Sequence, residues 1–450
     1  MTPQAAIPAR TRDVLRLAWP TILSFVCSNL YRVNDHYWIQ GLGPDAQAAV
    51  GASFFVLVMN FAFIFISVAG CLPLVARATG AKEPQERSSV VFHAVLLSLA
   101  VGLLLSFFGG LLTPSITGWL GLTGATRAFA NEYLSTIYLW ILPLAFAPLV
   151  DNIFIGMGHT RVPLFLVILS VALNFILNPI LIFGWGPIPA GGISGAAMAT
   201  AISRLVAVSL GLFLLHGMFR VPFLRQRRLR PERLLAILRL GIPPALSTAM
   251  WAGTYWVLFS LVMSRLGRDA IAGLGLGFNI FEGAAFPVFL GIALAGSSLV
   301  GRNLGAGQPA AALDAMSSVR RIGSAAGILA TLVFLTAGPL ILPHFTEHEG
   351  VLSEALTYVW ILGFSQILVA VETVNEKVLL GAGHTRPIFW VAGPGNLLRI
   401  PIAWFLAIHL GWAAPGVWWA VNITTAMKAG AFYYLAERRT WLIPGSSVAS

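Results

Sequence analysis

The sequence predicts an all-α integral membrane protein of twelve transmembrane helices, arranged as two parallel six-helix repeats. Composition is the first observation behind this prediction: of 450 residues only 10% are charged and 57% are hydrophobic, and the mean hydropathy is +0.82. So few charges could not cover the surface of a soluble protein of this length, which makes lipid the solvent. The other two observations are an internal duplication and a one-sided distribution of arginine and lysine.

The duplication appears when the sequence is laid on itself with a shift of 225 residues. GMGHTR at 156–161 then falls on GAGHTR at 381–386, and LVARATGA at 74–81 falls on LVGRNLGA at 299–306. With the shift relaxed by a residue or two, LGPDAQAAVG at 42–51 meets LGRDAIAGLG at 266–275, and LRLAWPTILS at 15–24 meets LRLGIPPALS at 238–247. Four matches in the same order at nearly one offset indicate a tandem duplication.

The apolar runs predict six spans in each half. The charge-free stretch 88–126 favours one long tilted helix and a polar turn, whereas WGPIPAGG divides the charge-free stretch 162–203 into two helices. The predicted spans are roughly 14–41, 48–76, 88–113, 128–156, 160–184, 190–217, 235–264, 270–300, 314–343, 352–380, 386–410 and 412–436. The predicted domains are an N-terminal tail (1–13), an N-lobe (14–217), a basic connector (218–234), a C-lobe (235–436) and a C-terminal tail (437–450).

Arginine and lysine predict the orientation. The stretch from Phe219 to Arg239 holds seven arginines, and it lies on the same side of the predicted membrane as both termini. That side carries Arg10, Arg12, Arg16, Arg77, Lys82, Arg87, Arg161, Arg220, Arg225, Arg227, Arg228, Arg230, Arg233, Arg239, Arg302, Arg320, Arg321, Arg386, Arg438 and Arg439, against Arg127, Arg265 and Arg268 on the other. The bias predicts cytoplasmic termini and connector, and it explains the net charge of +11 without nucleic acid. Because six is even, the repeats are expected to be parallel, related by a pseudo-two-fold axis along the membrane normal, with a cleft between them as in transporters.

Ionisable side chains at bilayer depth are costly, by about 2.5–3.5 kcal/mol on insertion scales, so each calls for a function or a partner. These candidates are Arg32, Asp35, Asp151, Arg204, Glu282, Glu372, Glu376, Lys377, Arg399 and Lys428. For Asp35 we weigh a coupling carboxylate, whose neutral form burial would favour, against an intrahelical pair with Arg32 one turn earlier. Glu282 has no acidic counterpart in the first half and is the second candidate, although Arg399 could neutralise it.

Two further groups of residues are candidates for transport roles. Asp151 and Glu376 are equivalent across the repeat, and each either pairs with the arginine of the following turn, Arg161 or Arg386, or forms a cytoplasmic gate. Flat organic cations would suit aromatic faces in the cleft, with Glu372 near mid-depth. The aromatic candidates for this substrate cleft are Tyr31, Tyr37, Trp38 and Tyr255.

Several stretches together resemble the multidrug and toxic compound extrusion (MATE) transporters of prokaryotes. They are NLYRVNDHYWIQGLGPDAQAAVG at 29–51, LVARATGA at 74–81, GMGHTR leading into LNFILNPILIFG at 173–184, GGISGAAMATAIS at 191–203 and FEGAAFPVFLGIALAGSSLVGRNLGAG at 281–307. The resemblance covers essentially the whole chain. It implies a V-shaped, two-lobed bundle in the inner membrane, which exports organic, often cationic, compounds in exchange for protons or sodium ions.

The chain departs from the family pattern at two places. Many prokaryotic members have an aspartate where this chain has Asn178, and some have an acidic residue in the seventh helix, where 248–259 is uncharged here. The matching residues that remain for ion coupling are Asp35, Asn174, Asn178 and Thr200, together with the asymmetric Glu282.

Three functions are compared on this basis. A secondary antiporter of drug-like compounds is favoured, acting as a monomer in membrane lipid, with no cofactor beyond its coupling ion, H+ or Na+. A lipid-linked oligosaccharide flippase of related architecture would be expected to line its cleft with several arginines, and Arg32, Arg204 and Arg399 are the ones available. A membrane enzyme or receptor is disfavoured, because no Gly-rich phosphate loop, HExxH, GxSxG or Cys/His cluster occurs.

Overall fold

The computed structural model describes residue 7 and residues 10–226 and 228–442. Parts of both predicted tails therefore lie outside the described residues, namely 1–6, 8, 9 and 443–450, and so does Arg227 of the connector.

The described chain forms twelve helical segments, named α1 to α12 in order. The first six are α1 (Thr11–Ile39), α2 (Pro44–Gly80), α3 (Pro84–Trp119), the bent pair α4a (Gly124–Leu139) and α4b (Ile141–Met157), α5 (Arg161–Phe183) and α6 (Gly192–Gly217). The second six are α7 (Pro231–Leu266), α8 (Arg268–Gly305), α9 (Pro309–His344), the bent pair α10a (Glu349–Gly363) and α10b (Gln366–Gly381), α11 (Arg386–His409) and α12 (Ala413–Glu437). Short 3-10 turns follow at Gln40–Leu42, Phe223–Arg225 and Thr440–Leu442.

The predicted arrangement of twelve helices is confirmed. Eight helices are long and apolar enough to cross a membrane, and counting each bent pair as one span gives ten. The remaining two are α1 and α12, with 29 and 25 residues. The charge-free stretch 88–126 lies in the one long helix α3 and the turn after it, and WGPIPAGG separates α5 from α6. Residues 10–226 and 228–442 contain no β-strand beyond an isolated bridge between Trp185 and Ile188.

The duplication is visible in the bends. The two parts of α4 meet at 57° around Trp140, and those of α10 meet at 54° around Ser365, which is the equivalent position. The turns after these helices also match. Gly158 and Gly383 have φ of +83° and +72°, a backbone conformation that glycine adopts without steric cost. The amide of the next residue, His159 or His384, donates to the carbonyl five residues earlier at 2.9 Å in both repeats.

The chain folds as two compact units, and the first turns of α1 and α7 are exchanged between them. One unit comprises Leu23–Gly241, and the other comprises Met1–Ile22 with Ile242–Ser450. We call them the N-terminal unit and the C-terminal unit. In each unit, a glycine allows the exchanged turns to pack closely against the rest of the unit. A Cβ at Gly241 would lie 1.8 Å from the carbonyl oxygen of Ile66 in the N-terminal unit, and a Cβ at Gly291 would lie 2.6 Å from the amide of Ile22 in the C-terminal unit.

Each unit has its own apolar core. The N-terminal unit buries side chains such as Leu149 and Phe154 between α2, α3, α4b and α6, and the C-terminal unit buries Phe281, Phe334 and Trp418. Other large apolar side chains are exposed, including Phe107 at 67% and Phe213 at 71%. Such exposure is expected where lipid replaces water around the helices.

The basic connector is attached to α3. The backbone amide of Arg230 donates to Nε2 of His93 at 2.8 Å, and the Arg233 guanidinium lies 2.9 Å from the Glu86 carboxylate. His93 is buried, and its Nδ1 lies 2.7 Å from the carbonyl oxygen of Ser89. These two contacts require a neutral imidazole that carries its proton on Nδ1.

Candidate functional site

The polar centre of the N-terminal unit is the carboxylate of Asp35 on α1. Its Oδ1 accepts hydrogen bonds from Nδ2 of Asn178 at 2.7 Å and Nδ2 of Asn174 at 3.4 Å. Its Oδ2 accepts from the hydroxyl of Thr200 at 3.2 Å. The structure thus brings together the four ion-coupling residues predicted in the first half. Three neutral donors that converge on one carboxylate satisfy its oxygens in the ionised form.

Helical spacing explains how these residues meet. Asn174 and Asn178 are four residues apart on α5, so they lie on one face of that helix, towards α1. Asn174 also accepts a hydrogen bond from Asn34 at 2.8 Å, and Asn34 accepts one from Nε1 of Trp38 at 3.0 Å. Asn34 and both α5 asparagines are at most 2% exposed. Buried amides with this many partners hold the Asp35 side chain in one position.

The pairing of Asp35 with Arg32, one of our two interpretations, is wrong. Arg32 is exposed, donates to Oδ1 of Asn29 at 3.3 Å and lies 5.9 Å from the ring centre of Phe54. The four ion pairs among the described residues do not include Asp35. The carboxylate is therefore held by neutral groups and not by a neighbouring cation.

A small cavity of about 40 Å³ lies next to this cluster in the same unit. Its wall includes Asp151 of α4b, Arg204 of α6, and Tyr31 and Ser170, which are hydrogen-bonded to each other. The Arg204 guanidinium lies 4.8 Å from the ring centre of Tyr31. Asp151, predicted as part of a cytoplasmic gate, therefore lies on the wall of a cavity inside the N-terminal unit.

Glu282 lies in the C-terminal unit, at the end of a π-helical turn of α8 (Phe278–Glu282). Its Oε1 accepts from Nε2 of the buried Gln366 at 3.0 Å. Arg399, the neutralising partner we considered, is 2% exposed and donates instead to the hydroxyls of Thr424 and Tyr255, each at 3.0 Å. Within the described part of the chain, Glu282 is in no ion pair.

The other acidic residue predicted for the substrate cleft has a cation beside it. The ammonium of Lys428 lies 2.7 Å from Oε1 of Glu372 and 3.0 Å from Oδ1 of Asn396. Lys428 is 6% exposed, so this is a buried ion pair whose remaining acceptor is an amide. Glu372 is thus compensated within its own unit.

The predicted cleft aromatics have different surroundings. Tyr37 is 60% exposed, whereas Tyr31 is 6% exposed and lines the cavity. Trp38 is half-buried and donates to Asn34, and Tyr255 is bonded to Arg399 and lies beside Trp251, with 4.9 Å between ring centres. Of these four aromatic side chains, Tyr37 is the most exposed and therefore the most accessible to a ligand.

The predicted gate residues lie at the ends of equivalent helices. Arg161 and Arg386 begin α5 and α11, and Glu376 lies on α10b, 2.6 Å from the ammonium of Lys377. In the turn before α11, burial lowers the pKa of the His384 imidazole, so this group is neutral at neutral pH. Charge in the turn therefore comes from Arg386.

Several polar residues of these clusters were not predicted. Ser170 could have been found from its spacing, because Ser170, Asn174 and Asn178 follow each other at intervals of four on α5. Gln366, Asn396 and Thr424 give no comparable signal. They lie on three different helices, and only the folded chain brings each to its charged partner.

Comparison with known proteins agrees with this architecture. The sequence profile of the MatE family matches residues 20–180 and 244–405, which lie one in each half of the chain. A protein of Thermotoga maritima described as probable multidrug resistance protein NorM is 26% identical, over 92% of this chain and 90% of its own. The multidrug resistance protein NorM of Burkholderia vietnamiensis is 28% identical over 94% of each chain, and the FAD transporter of Shewanella oneidensis is 26% identical over 95% and 94%.

Solved structures show the same fold. A crystal structure of MATE in complex with MaL6 superposes with a TM-score of 0.88, at 23% identity, over 96% of this chain and 97% of that one. A MOP superfamily transporter from Pyrococcus furiosus gives 0.87, at 22% identity, over 98% and 99%. The twelve helices in two six-helix repeats are the MATE arrangement, and the family profile covers most of both repeats. The chain is a multi-pass membrane transporter that belongs to the MatE family.

Proposed function

We propose that this protein is a secondary antiporter, and not an enzyme, which exports organic, often cationic, compounds in exchange for H+ or Na+ by alternating access. The proposal places it in the inner membrane with both termini and the connector in the cytoplasm, acting as a monomer without a cofactor. Relatives named as multidrug resistance proteins support the substrate class.

The observation that carries the proposal is the carboxylate of Asp35, which is surrounded by amide and hydroxyl groups and has no cation within ion-pair distance among the described residues. A carboxylate at bilayer depth that no cation contacts directly can bind a mobile one. A proton or a sodium ion would supply it. Exchange of that ion across the membrane can then drive export.

Asn178 supports the binding of a cation at this position. Its Nδ2 donates to Asp35, while its Oδ1 is buried and accepts no hydrogen bond from any described residue. Rotation of the amide by half a turn would place Oδ1 against Asp35. In that orientation Oδ1 can accept from a protonated carboxyl group or coordinate Na+, both of which supply the missing partner.

The flippase alternative receives less support from the arginines. Arg399 is buried against Tyr255 and Thr424, and Arg204 lines the small cavity of the N-terminal unit. Arg32 is exposed, and one arginine offers little for a pyrophosphate group. Antiport of organic compounds is therefore the function that these side chains favour.

The test is efflux of a cationic dye from cells that lack their own multidrug pumps. Cells that express this protein should retain less dye than cells with an empty vector. Collapse of the proton gradient and of the sodium gradient, one at a time, should then identify the coupling ion. Efflux that survives the loss of both gradients would contradict secondary antiport.

A further inference from the structure

We propose that the cavity beside the Asp35 cluster is a hydrated proton-exchange site, in which Asp151 is a second protonatable carboxylate and Arg204 is the cation that Asp35 and Asp151 share. The proposal rests on the proposed antiport, which it deepens by giving Asp35 a route for protons within the N-terminal unit.

Three helices bring the cavity wall and the Asp35 cluster together in the same register. Tyr31 precedes Asp35 by one turn on α1, and Ser170 precedes Asn174 by one turn on α5. On α6, Arg204 follows Thr200 by one turn. Three residues of the cavity wall thus lie one helical turn, about 5.4 Å, from the Asp35 cluster: Tyr31 from Asp35, Ser170 from Asn174 and Arg204 from Thr200.

On each of the three helices, the cavity is displaced from the Asp35 cluster towards the same side of the predicted membrane. The cavity lies from Asp35 towards the start of α1, from Asn174 towards the start of α5, and from Thr200 towards the end of α6. Ser28, Leu166 and Val208 continue its wall a further turn that way. These helix ends are the ones predicted to be cytoplasmic, so the cavity lies on the cytoplasmic side of Asp35.

Arg204 is the cation shared by the carboxylate on the cavity wall and the carboxylate in the cluster. The positive charge of Arg204 attracts both carboxylates, Asp35 and Asp151, and its guanidinium lies over the ring of Tyr31. It is in none of the ion pairs found in the described residues, and its Nε is buried without a hydrogen-bond partner there. Two carboxylates thus share one guanidinium, which forms an ion pair with neither. This arrangement favours a state in which one of the two carboxylates holds a proton.

The groups around Asp151 allow it to take that role. Arg204 of α6 and Tyr31 of α1 are the charged and titratable side chains on the cavity wall besides Asp151, while α5 presents Ser170 and apolar residues. A cavity of about 40 Å³ has room for roughly three waters, and its hydroxyls and charges supply their hydrogen bonds. Water and protons are the occupants that fit a cavity of this volume.

The step conserves protons. A proton leaves the Asp35 carboxyl group for the nearest water, each water passes a different proton to the next, and the last water gives a proton to an oxygen of Asp151 on the cavity wall. Asp35 ends as a carboxylate, Asp151 ends as a carboxylic acid, and the waters are unchanged. The hydroxyl of Tyr31, which is within electrostatic reach of both carboxylates, orients the water through its bond with Ser170.

The test is infrared spectroscopy of the purified full-length protein during a pH titration, because the stretching band of a protonated carboxyl group reports proton binding directly. Asp151→Asn should remove a titrating carboxyl band that remains in Asp35→Asn. Glu376→Gln is the matched control at the equivalent position of the second repeat, where Lys377 lies 2.6 Å away, and it should leave the titrating bands unchanged. A wild-type spectrum in Asp151→Asn would overturn the proposal.

A second measurement follows the transport rate. In proteoliposomes, Asp151→Asn should slow efflux driven by a proton gradient at least about tenfold, since loss of a positioned proton carrier has effects of that order or larger. If Asp151→Asn does not fold, Asp151→Glu should instead shift the frequency of the band, and an unshifted band would refute the assignment. The spectra need no substrate or gradient. Failure of the infrared result would refute the exchange site and leave antiport standing. Absence of wild-type efflux would refute antiport, and with it the transport role of the site, but would leave the infrared assignment of Asp151 as measured.

Discussion

Asn178→Asp tests the geometry at Asp35 most sharply, because it converts a hydrogen-bond donor into a second carboxylate at a known distance. Nδ2 of Asn178 lies 2.7 Å from Oδ1 of Asp35. Two carboxylate oxygens at that separation repel each other by about 6 kcal/mol at an effective dielectric constant of about 20. This corresponds to more than about four powers of ten in proton affinity, so the pair should retain one shared proton at neutral pH.

The assay is an infrared pH titration of the purified variant. We expect a protonated carboxyl band that persists to higher pH than any band of the wild-type protein. Asn396→Asp is the matched control. Its position faces the ammonium of Lys428 at 3.0 Å, where a new carboxylate is stabilised in its ionised form. If Asn178→Asp gains no such band, the side chains of residues 35 and 178 are not in contact, which would contradict the geometry described for Asp35.

Three further variants test the packing of the chain. Lys428→Met should lower the free energy of unfolding by about 3–5 kcal/mol, because it removes the cation from Glu372, whose side chain is only 15% exposed. A second substitution, Glu372→Gln, should restore most of the loss in thermal unfolding. Gly381→Ala should lower the melting temperature more than Gly156→Ala, since a Cβ would lie 2.2 Å from a backbone carbonyl oxygen in the first case and 3.2 Å in the second; equal losses would contradict the contact. His93→Leu removes the acceptor that holds the connector on α3, so trypsin should cleave the connector faster than in the wild type.

The sequence was sufficient for much of the fold, since composition, the repeat and the charge bias predicted twelve helices in two equivalent halves. The first-half cluster was found through the family resemblance, which pointed to Asp35, Asn174, Asn178 and Thr200, and the structure brings these four residues together. The one-turn spacing between Arg32 and Asp35 was not enough to predict where the Arg32 side chain lies. The Arg32 side chain is long and flexible, and in the structure it is exposed and lies 5.9 Å from the ring centre of Phe54.

The ion pair of the C-terminal unit could not be predicted from the sequence, for a different reason. Glu372 and Lys428 are 56 residues apart on α10b and α12, and no periodic pattern joins them. The exchange of the first turns of α1 and α7 is likewise a tertiary result. It depends on close backbone contacts at Gly241 and Gly291, which look in the sequence like the other glycines of the helices.

The most direct test of the central claim is counter-transport by reconstituted Asp35→Asn protein. Purified wild type, Asp35→Asn and Asp45→Asn would be placed in liposomes with a cationic dye under an imposed pH or sodium gradient. Asp45 is an exposed carboxylate at the start of α2 that accepts a hydrogen bond from Thr126, so its variant should transport like the wild type. Asp35→Asn should still bind the dye but lose gradient-driven transport, because a permanently neutral amide cannot exchange a cation. Transport at the wild-type rate by Asp35→Asn would contradict the assignment of Asp35 as the coupling carboxylate.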